Sequence, residues 1–159
     1  MPKYRFLSDE ELSHLEEEFK QFLIVNHVHA EEWADLNKKD PEKALEIVGL
    51  FSDQVLQRVY EKMEYLERRE ANSCFLFKLG AKELSLIVLQ LEPGANSEAD
   101  LSTVDSIHKT MINWPTSVSY FTQKKGYTKS REEEMHQLIE QGAEISSVEF
   151  WESLENTLK

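Results

Sequence analysis

Two Glu-x-x-His units stand in the chain, Glu11 with His14 and Glu133 with His136. That spacing sets a carboxylate and an imidazole on one helix face, and one such pair on each of two helices is how bundles hold two iron ions. Each glutamate also follows a serine by three residues, Ser8 and Ser130, so helix capping accounts for both without a metal. His27-x-His29, ahead of Glu31 and Glu32, offers two imidazoles to zinc or nickel at a strand-like spacing. A polar turn between helices explains the same residues. Cys74 is a nucleophile only with a histidine base beside it, and no local motif supplies one; in its apolar run it reads as a small hydrophobe of a strand. Asp105, Ser106 and His108 have the residue types of a catalytic triad but crowd onto one predicted helix, whereas working triads are assembled from separated segments. Glycines stand alone at Gly49, Gly80, Gly94, Gly126 and Gly142. Without clustered glycines the phosphate-cradling loops of nucleotide folds are excluded. No residue here is assigned as catalytic or as a metal ligand, and no cofactor is implied.

The segment 106–131 is different. It holds five basic residues and no acid, in a chain with 30 acidic against 18 basic side chains and a net charge of −12. Lys109, Lys124, Lys125, Lys129 and Arg131 are interleaved there with Trp114, Tyr120, Phe121 and Tyr127, among eight serines and threonines. Basic groups attract an anion, aromatic faces stack on a ring, and hydroxyls bind phosphate oxygens. Lys109, Trp114, Lys124, Lys125, Tyr127, Lys129 and Arg131 are therefore the candidate set for binding an anion or partner. The bland alternative packs the segment against the acidic helices of its own fold. The leading expectation is a non-enzymatic interaction or regulatory protein that docks a protein partner of acidic character, or a phosphate-bearing or other anionic ligand, on this strip. Charge signs kept apart on one chain favour specific docking. Two rivals remain: a small enzyme with its site assembled around His108, Trp114, Tyr127 and Arg131, and a metal protein using His27 and His29.

Composition bounds these readings. A chain of 159 residues is expected to form one domain over residues 1–159, burying roughly 68–70% of its unfolded surface. With 40% apolar and 30% charged residues, it is globular rather than disordered. The acidic balance argues against general nucleic-acid binding, since phosphate neutralisation needs lysine and arginine in excess. One cysteine makes no internal disulfide, so a cytoplasmic location is expected. No run approaches the ~18–20 apolar residues of a membrane span, and the amino end lacks the apolar core of a signal peptide.

The elements that must position these residues can be read in turn. Ser8 and Glu11 form a capping box, and Leu12, Leu15, Phe19, Phe22 and Leu23 recur at helical spacing behind it. A short helix is expected over 31–36. Asp40-Pro41 restarts the chain as an N-cap and first helical residue; from it Ala44, Val48, Phe51, Val55, Val59 and Leu66 keep phase, which predicts one long helix to about Arg69. Two apolar runs, 74–79 and 84–91, flank Gly80-Ala-Lys-Glu83 and predict a β-hairpin. It is too apolar to stand in water, so helices should cover at least one face, the first and long helices being the expected cover. Ser102 and Asp105 are expected to open a helix that stops before Trp114-Pro115. Residues 116–125 read as either helix or strand. Ser130 and Glu133 open a further helix to Gly142, and Ser146 with Glu149, stapled by Ile145 and Phe150, opens the last. The predicted architecture is α+β and mostly helical: a long helical hairpin packed on a short antiparallel β-hairpin, with C-terminal helices.

Four stretches of these elements, 3–12 (KYRFLSDEEL), 29–33 (HAEEW), 125–131 (KGYTKSR) and 142–146 (GAEIS), carry a resemblance. By them the chain resembles a small family of cytoplasmic bacterial proteins of the Bacteroidota, a domain of unknown function. The likeness runs over nearly the whole chain. It implies a free-standing cytoplasmic protein and specifies no activity, cofactor or site.

Overall fold

The capping box at residue 8 forms as its sequence predicts. In the computed structural model, which describes residues 1–158, the Ser8 hydroxyl accepts the Glu11 N–H at 3.1 Å and the Glu11 carboxylate accepts the Ser8 N–H at 2.8 Å. The chain divides into two compact units, 1–61 and 62 onward. The first contains α1 (Asp9–His14), α2 (Glu16–Val25), α3 (Ala30–Lys39) and most of α4 (Pro41–Lys62). Where the periodicity predicts one opening helix there are two, because the backbone leaves the helical region at Leu15 (φ −113°, ψ 24°). Asp40 accepts the Lys43 N–H at 3.2 Å, as an N-cap acid should.

Aromatic rings hold this unit together. Phe19 lies edge-on to Trp33 at 5.2 Å and to Phe51 at 5.0 Å, and Phe22 meets Phe51 at 5.4 Å, so α2, α3 and α4 share one contact. Along α4 the buried side chains are Ala44, Phe51, Ser52, Leu56 and Tyr60. Val59, counted on the apolar stripe, instead turns outward. The opening segment lies against α4: Asp53 accepts the N–H groups of Lys3 at 2.6 Å and Tyr4 at 2.9 Å, and the fully buried Ser52 hydroxyl accepts that of Leu7 at 3.0 Å. A Cβ at Gly49 would stand 3.3 Å from the Phe6 ring, which would have to give by a few tenths of an ångström to admit it.

Arg5 grips Glu11 with two nitrogens, at 2.8 and 3.1 Å. This bidentate bond, aided by the Ser8 N–H, holds the Glu11 carboxyl down to about 2. A depressed acid stabilises the fold fully above its ordinary pKa, and that contribution is lost as pH falls through the folded value. The contribution of this pair is thus complete above about 4.5 and disappears toward about 2. In Arg5→Ala the Glu11 midpoint should rise toward the ordinary carboxylate range in an NMR titration; an unmoved midpoint would mean that Arg5 does not set it.

The second unit is built on a five-stranded, wholly antiparallel sheet of order β4-β3-β2-β1-β5. Its strands are β1 (Tyr65–Arg69), β2 (Ser73–Leu79), β3 (Glu83–Leu91), β4 (Val118–Gly126) and β5 (Glu144–Ile145); its further helices are α5 (Val104–Asn113), α6 (Arg131–Glu140) and α7 (Val148–Thr157). With helices and sheet in these proportions the fold is α+β. The 74–91 hairpin forms where expected, as β2 and β3. The long helix is shorter than its stripe implied: it stops at Lys62, and residues 65–69 pair along their length with β2 as β1. The ambiguous stretch 116–125 becomes a short 3₁₀ turn, Pro115–Ser117, and then β4.

One face of the hairpin carries Cys74, Leu76, Ile87 and Leu89. These pack with Ile107 of α5 and Phe150, Trp151 and Leu154 of α7, so α5 and α7 cover this face of the hairpin. Alternation puts Leu66, Leu79, Leu84 and Val88 on the opposite face, where they too are buried.

Two caps differ from expectation by one residue. Thr103, not Ser102, caps α5 in a box with Ser106, because the Ser102 hydroxyl is bonded to Asp100 at 2.6 Å. Ser147, not Ser146, caps α7, its hydroxyl accepting the Phe150 N–H at 3.1 Å. The cause lies in the sheet: Ile145 pairs with Leu66 and the Ser146 N–H donates to Tyr65 at 2.9 Å, so Ser146 still belongs to strand geometry. Ser147→Ala should therefore cost about 1 kcal/mol in urea denaturation and Ser146→Ala clearly less; the reverse order would move the cap back to Ser146.

Candidate functional site

The nine-residue strand β4 forms one edge of the sheet, with an unbroken register to β3 from Val118 opposite Leu91 to Gly126 opposite Glu83. From Tyr120 to Gly126 every residue is exposed. Alternation sends Tyr120, Thr122 and Lys124 to the face that α5 and α7 cover in part, and Phe121, Gln123 and Lys125 to the other. Tyr120 and Phe121 are 52% and 49% exposed, large apolar rings in water. β4 contains no acid.

Across the first of these faces the register lines up Lys78 of β2, Ser85 of β3 and Lys124 of β4 in one row. The row borders a groove of about 580 Å³ whose lining includes Ile87, Tyr120, Thr122, Trp151 and Leu158. Its polar groups have the following partners. The Tyr120 hydroxyl donates to the Leu158 carbonyl at 3.2 Å, the Trp151 indole N–H donates to Glu155 at 3.1 Å, and the Lys124 ammonium stands 3.9 Å from Glu83. Among the described residues, Lys78 and Lys125 have no carboxylate within ion-pair distance. Glu155 also lines the groove, which joins an aromatic and aliphatic floor to a row that runs across the sheet from Lys78 to Lys124 on the edge strand.

Of the seven residues singled out in the sequence, Lys124 lines this groove and Lys125 stands beside it on the opposite face of β4. Lys129 is exposed in the connection to α6. Lys109 is exposed on α5, and Trp114, half-buried, ends that helix by donating its N–H to Thr110. Tyr127 and Arg131 work inside the fold. The Tyr127 hydroxyl donates to the Gly80 carbonyl at 2.7 Å, and burial pushes its pKa up. The Arg131 guanidinium donates to the carbonyls of Leu79, at 2.9 Å, and Met63. The strip 106–131 is therefore spread over α5, β4 and the start of α6. Lys78, Ser85, Thr122 and Trp151 were missed in the sequence; a lysine inside an otherwise apolar strand, Cys74-Phe-Leu-Phe-Lys-Leu79, was the only signal there.

The other chemistry-bearing residues are placed as follows. His108 faces the Ser153 hydroxyl at 3.3 Å, joining α5 to α7. Cys74 is fully buried and its thiol is pushed up to about 12, chiefly by burial, so it stays protonated and unreactive at neutral pH. His27 adopts a left-handed backbone (φ 61°) in the turn after α2, and His29 stands at the N-cap of α3. Among the described residues no group of three or more His, Cys, Asp or Glu is placed to share a metal ion. No described helix is long and apolar enough to cross a membrane.

Fold and site together define an α+β protein whose five-stranded sheet ends in a long, exposed, lysine-bearing edge. The chain belongs to the family of unknown function DUF6495, whose model matches it over residues 1–159. No curated protein and no solved structure matches it.

Proposed function

We propose that this is a non-enzymatic interaction protein that docks an acidic segment of another protein along β4 and the adjoining groove. The observation that carries the reading is the lysine row: Lys78, Ser85 and Lys124 abreast across three strands, with Lys125 on the reverse of an edge strand that has no acid. Lys124 and Lys125 point to opposite faces of β4, so they cannot close together on one small ion. They suit an extended chain that presents carboxylates to both sides. Tyr120, half exposed, and Leu158 offer apolar contact beside the charged points, the anchoring role that aromatic residues take at interfaces. A non-enzymatic role is supported by the engagement of His108, Tyr127 and Arg131 in structural bonds and by the protonated state of Cys74. A lone buried thiol also suits a reducing cytoplasm.

The test is the affinity of the full chain for a fluorescent capped glutamate–valine peptide repeating Glu-Glu-Val-Val, about eight residues long so as to match β4 and carrying carboxylates on both faces of the strand. Lys124→Glu/Lys125→Glu should weaken binding at least about tenfold. The unfolding midpoint should scarcely move, since exposed charges contribute about 0–1 kcal/mol each. Unchanged affinity in the variant would overturn the proposal.

A further inference from the structure

The hydrogen-bond alternation of the sheet fixes which backbone groups β4 leaves open. The Glu92 N–H donates to the Ser117 carbonyl at 2.7 Å. Residues 92 and 117 continue the β3–β4 register by one step, so theirs is a hydrogen-bonded pair and every second pair after it is another. Ser119, Phe121, Gln123 and Lys125 therefore turn their N–H and C=O groups inward to β3. Tyr120, Thr122, Lys124 and Gly126 turn theirs outward, away from the sheet. Val118 also points outward, but its N–H is taken by the Pro115 carbonyl. The same alternation holds on the other side of β3, where the Leu91 N–H donates to Asn72 and the Gly80 N–H to Glu83. This outward row runs along a strand with no bulge and no proline, two of the devices that close an edge; its lysines are a third, and they act by charge.

From this row we propose that the acidic segment binds by strand addition, forming a sixth strand hydrogen-bonded to the open edge of β4. The inference rests on the docking reading above and specifies its mode. The open backbone groups belong to the residues whose side chains reach the groove face, Tyr120, Thr122 and Lys124. An added strand places alternate side chains beside them on that face and the intervening ones beside Phe121 and Lys125. Carboxylates on both sides of the incoming strand meet Lys124 on one face and Lys125 on the other. The same lysines keep out a second copy of this chain: pairing two β4 edges puts four lysines on one ribbon with no carboxylate from either strand. Charge therefore selects an acidic guest and rejects self-association.

Amide hydrogen exchange on the isotope-labelled full chain, with and without the glutamate–valine peptide, tests this. In the free protein the amides of Ser119, Phe121, Gln123 and Lys125 should be protected, and those of Tyr120, Thr122, Lys124 and Gly126 should exchange rapidly. With saturating peptide the second set should slow by at least about tenfold while the first stays protected. Peptide bound with those four amides still fast would overturn strand addition and leave groove docking standing. No peptide binding at all would overturn both. Concentration-dependent protection without peptide would show a second copy on the edge and also overturn the proposal. Thr122→Pro gives an independent check, because its N–H points outward and its loss breaks no bond to β3. The variant should bind the peptide at least about tenfold more weakly with its charges intact; wild-type affinity in a folded variant would count against strand addition.

Discussion

Leu154→Ala is expected to destabilise the second unit by about 2–5 kcal/mol, a large share of the ~5–15 kcal/mol that holds a typical domain folded. Leu154 is fully buried on α7 and belongs to the cluster with Leu76, Ile87 and Leu89 of the sheet and Ile107 of α5. Alanine keeps or improves helix propensity, so the loss comes from packing and the cavity left behind, not from the helix itself. In urea denaturation the midpoint should fall sharply with little change in slope. A loss below about 1 kcal/mol would mean that α7 is not seated on the sheet, and the groove beside Trp151 would lose one of its walls.

The second large effect is at Arg131. Arg131→Met keeps the apolar stem but removes the donors to the Leu79 and Met63 carbonyls, which lie at the end of β2 and just past α4. Carbonyls stripped of a charged donor in a half-buried place cost about 1–3 kcal/mol. Arg131→Lys should recover little of this, since one ammonium on a flexible stem does not replace a planar fork spanning two carbonyls. Unchanged stability in Arg131→Met would instead free this residue for the basic strip in which the sequence placed it. The comparison separates a structural arginine from a binding one.

How much was legible in the sequence follows from where each signal lies. The β2–β3 hairpin was readable because its apolar runs and the turn after Gly80 are local. The caps at Ser8 and Ser130 were readable for the same reason. β1 was hidden: Leu66 lies seven residues after Val59 and so keeps helical phase, and only pairing with β2 makes 65–69 a strand. The α7 cap shifted from Ser146 to Ser147 because a two-residue strand, β5, claims the residue before it. The candidate site divides in the same way. Lys124, Lys125 and their aromatic neighbours stood out as a segment without acids, whereas the row with Lys78 and Ser85 exists only through the register of three strands. Tyr127 and Arg131 have the residue types of a binding strip, but the turn after β2 takes up their polar groups.

Recognition of an acidic chain by the charge of the β4 edge can be read from a single titration. Wild-type protein is titrated with the capped glutamate–valine peptide and with its lysine–valine counterpart of equal length, at low and high salt. The glutamate peptide should bind at least about tenfold more tightly, and its affinity should fall as salt screens the lysines. Equal affinity for the two peptides, or binding of the acidic one that does not weaken with salt, would contradict recognition by charge.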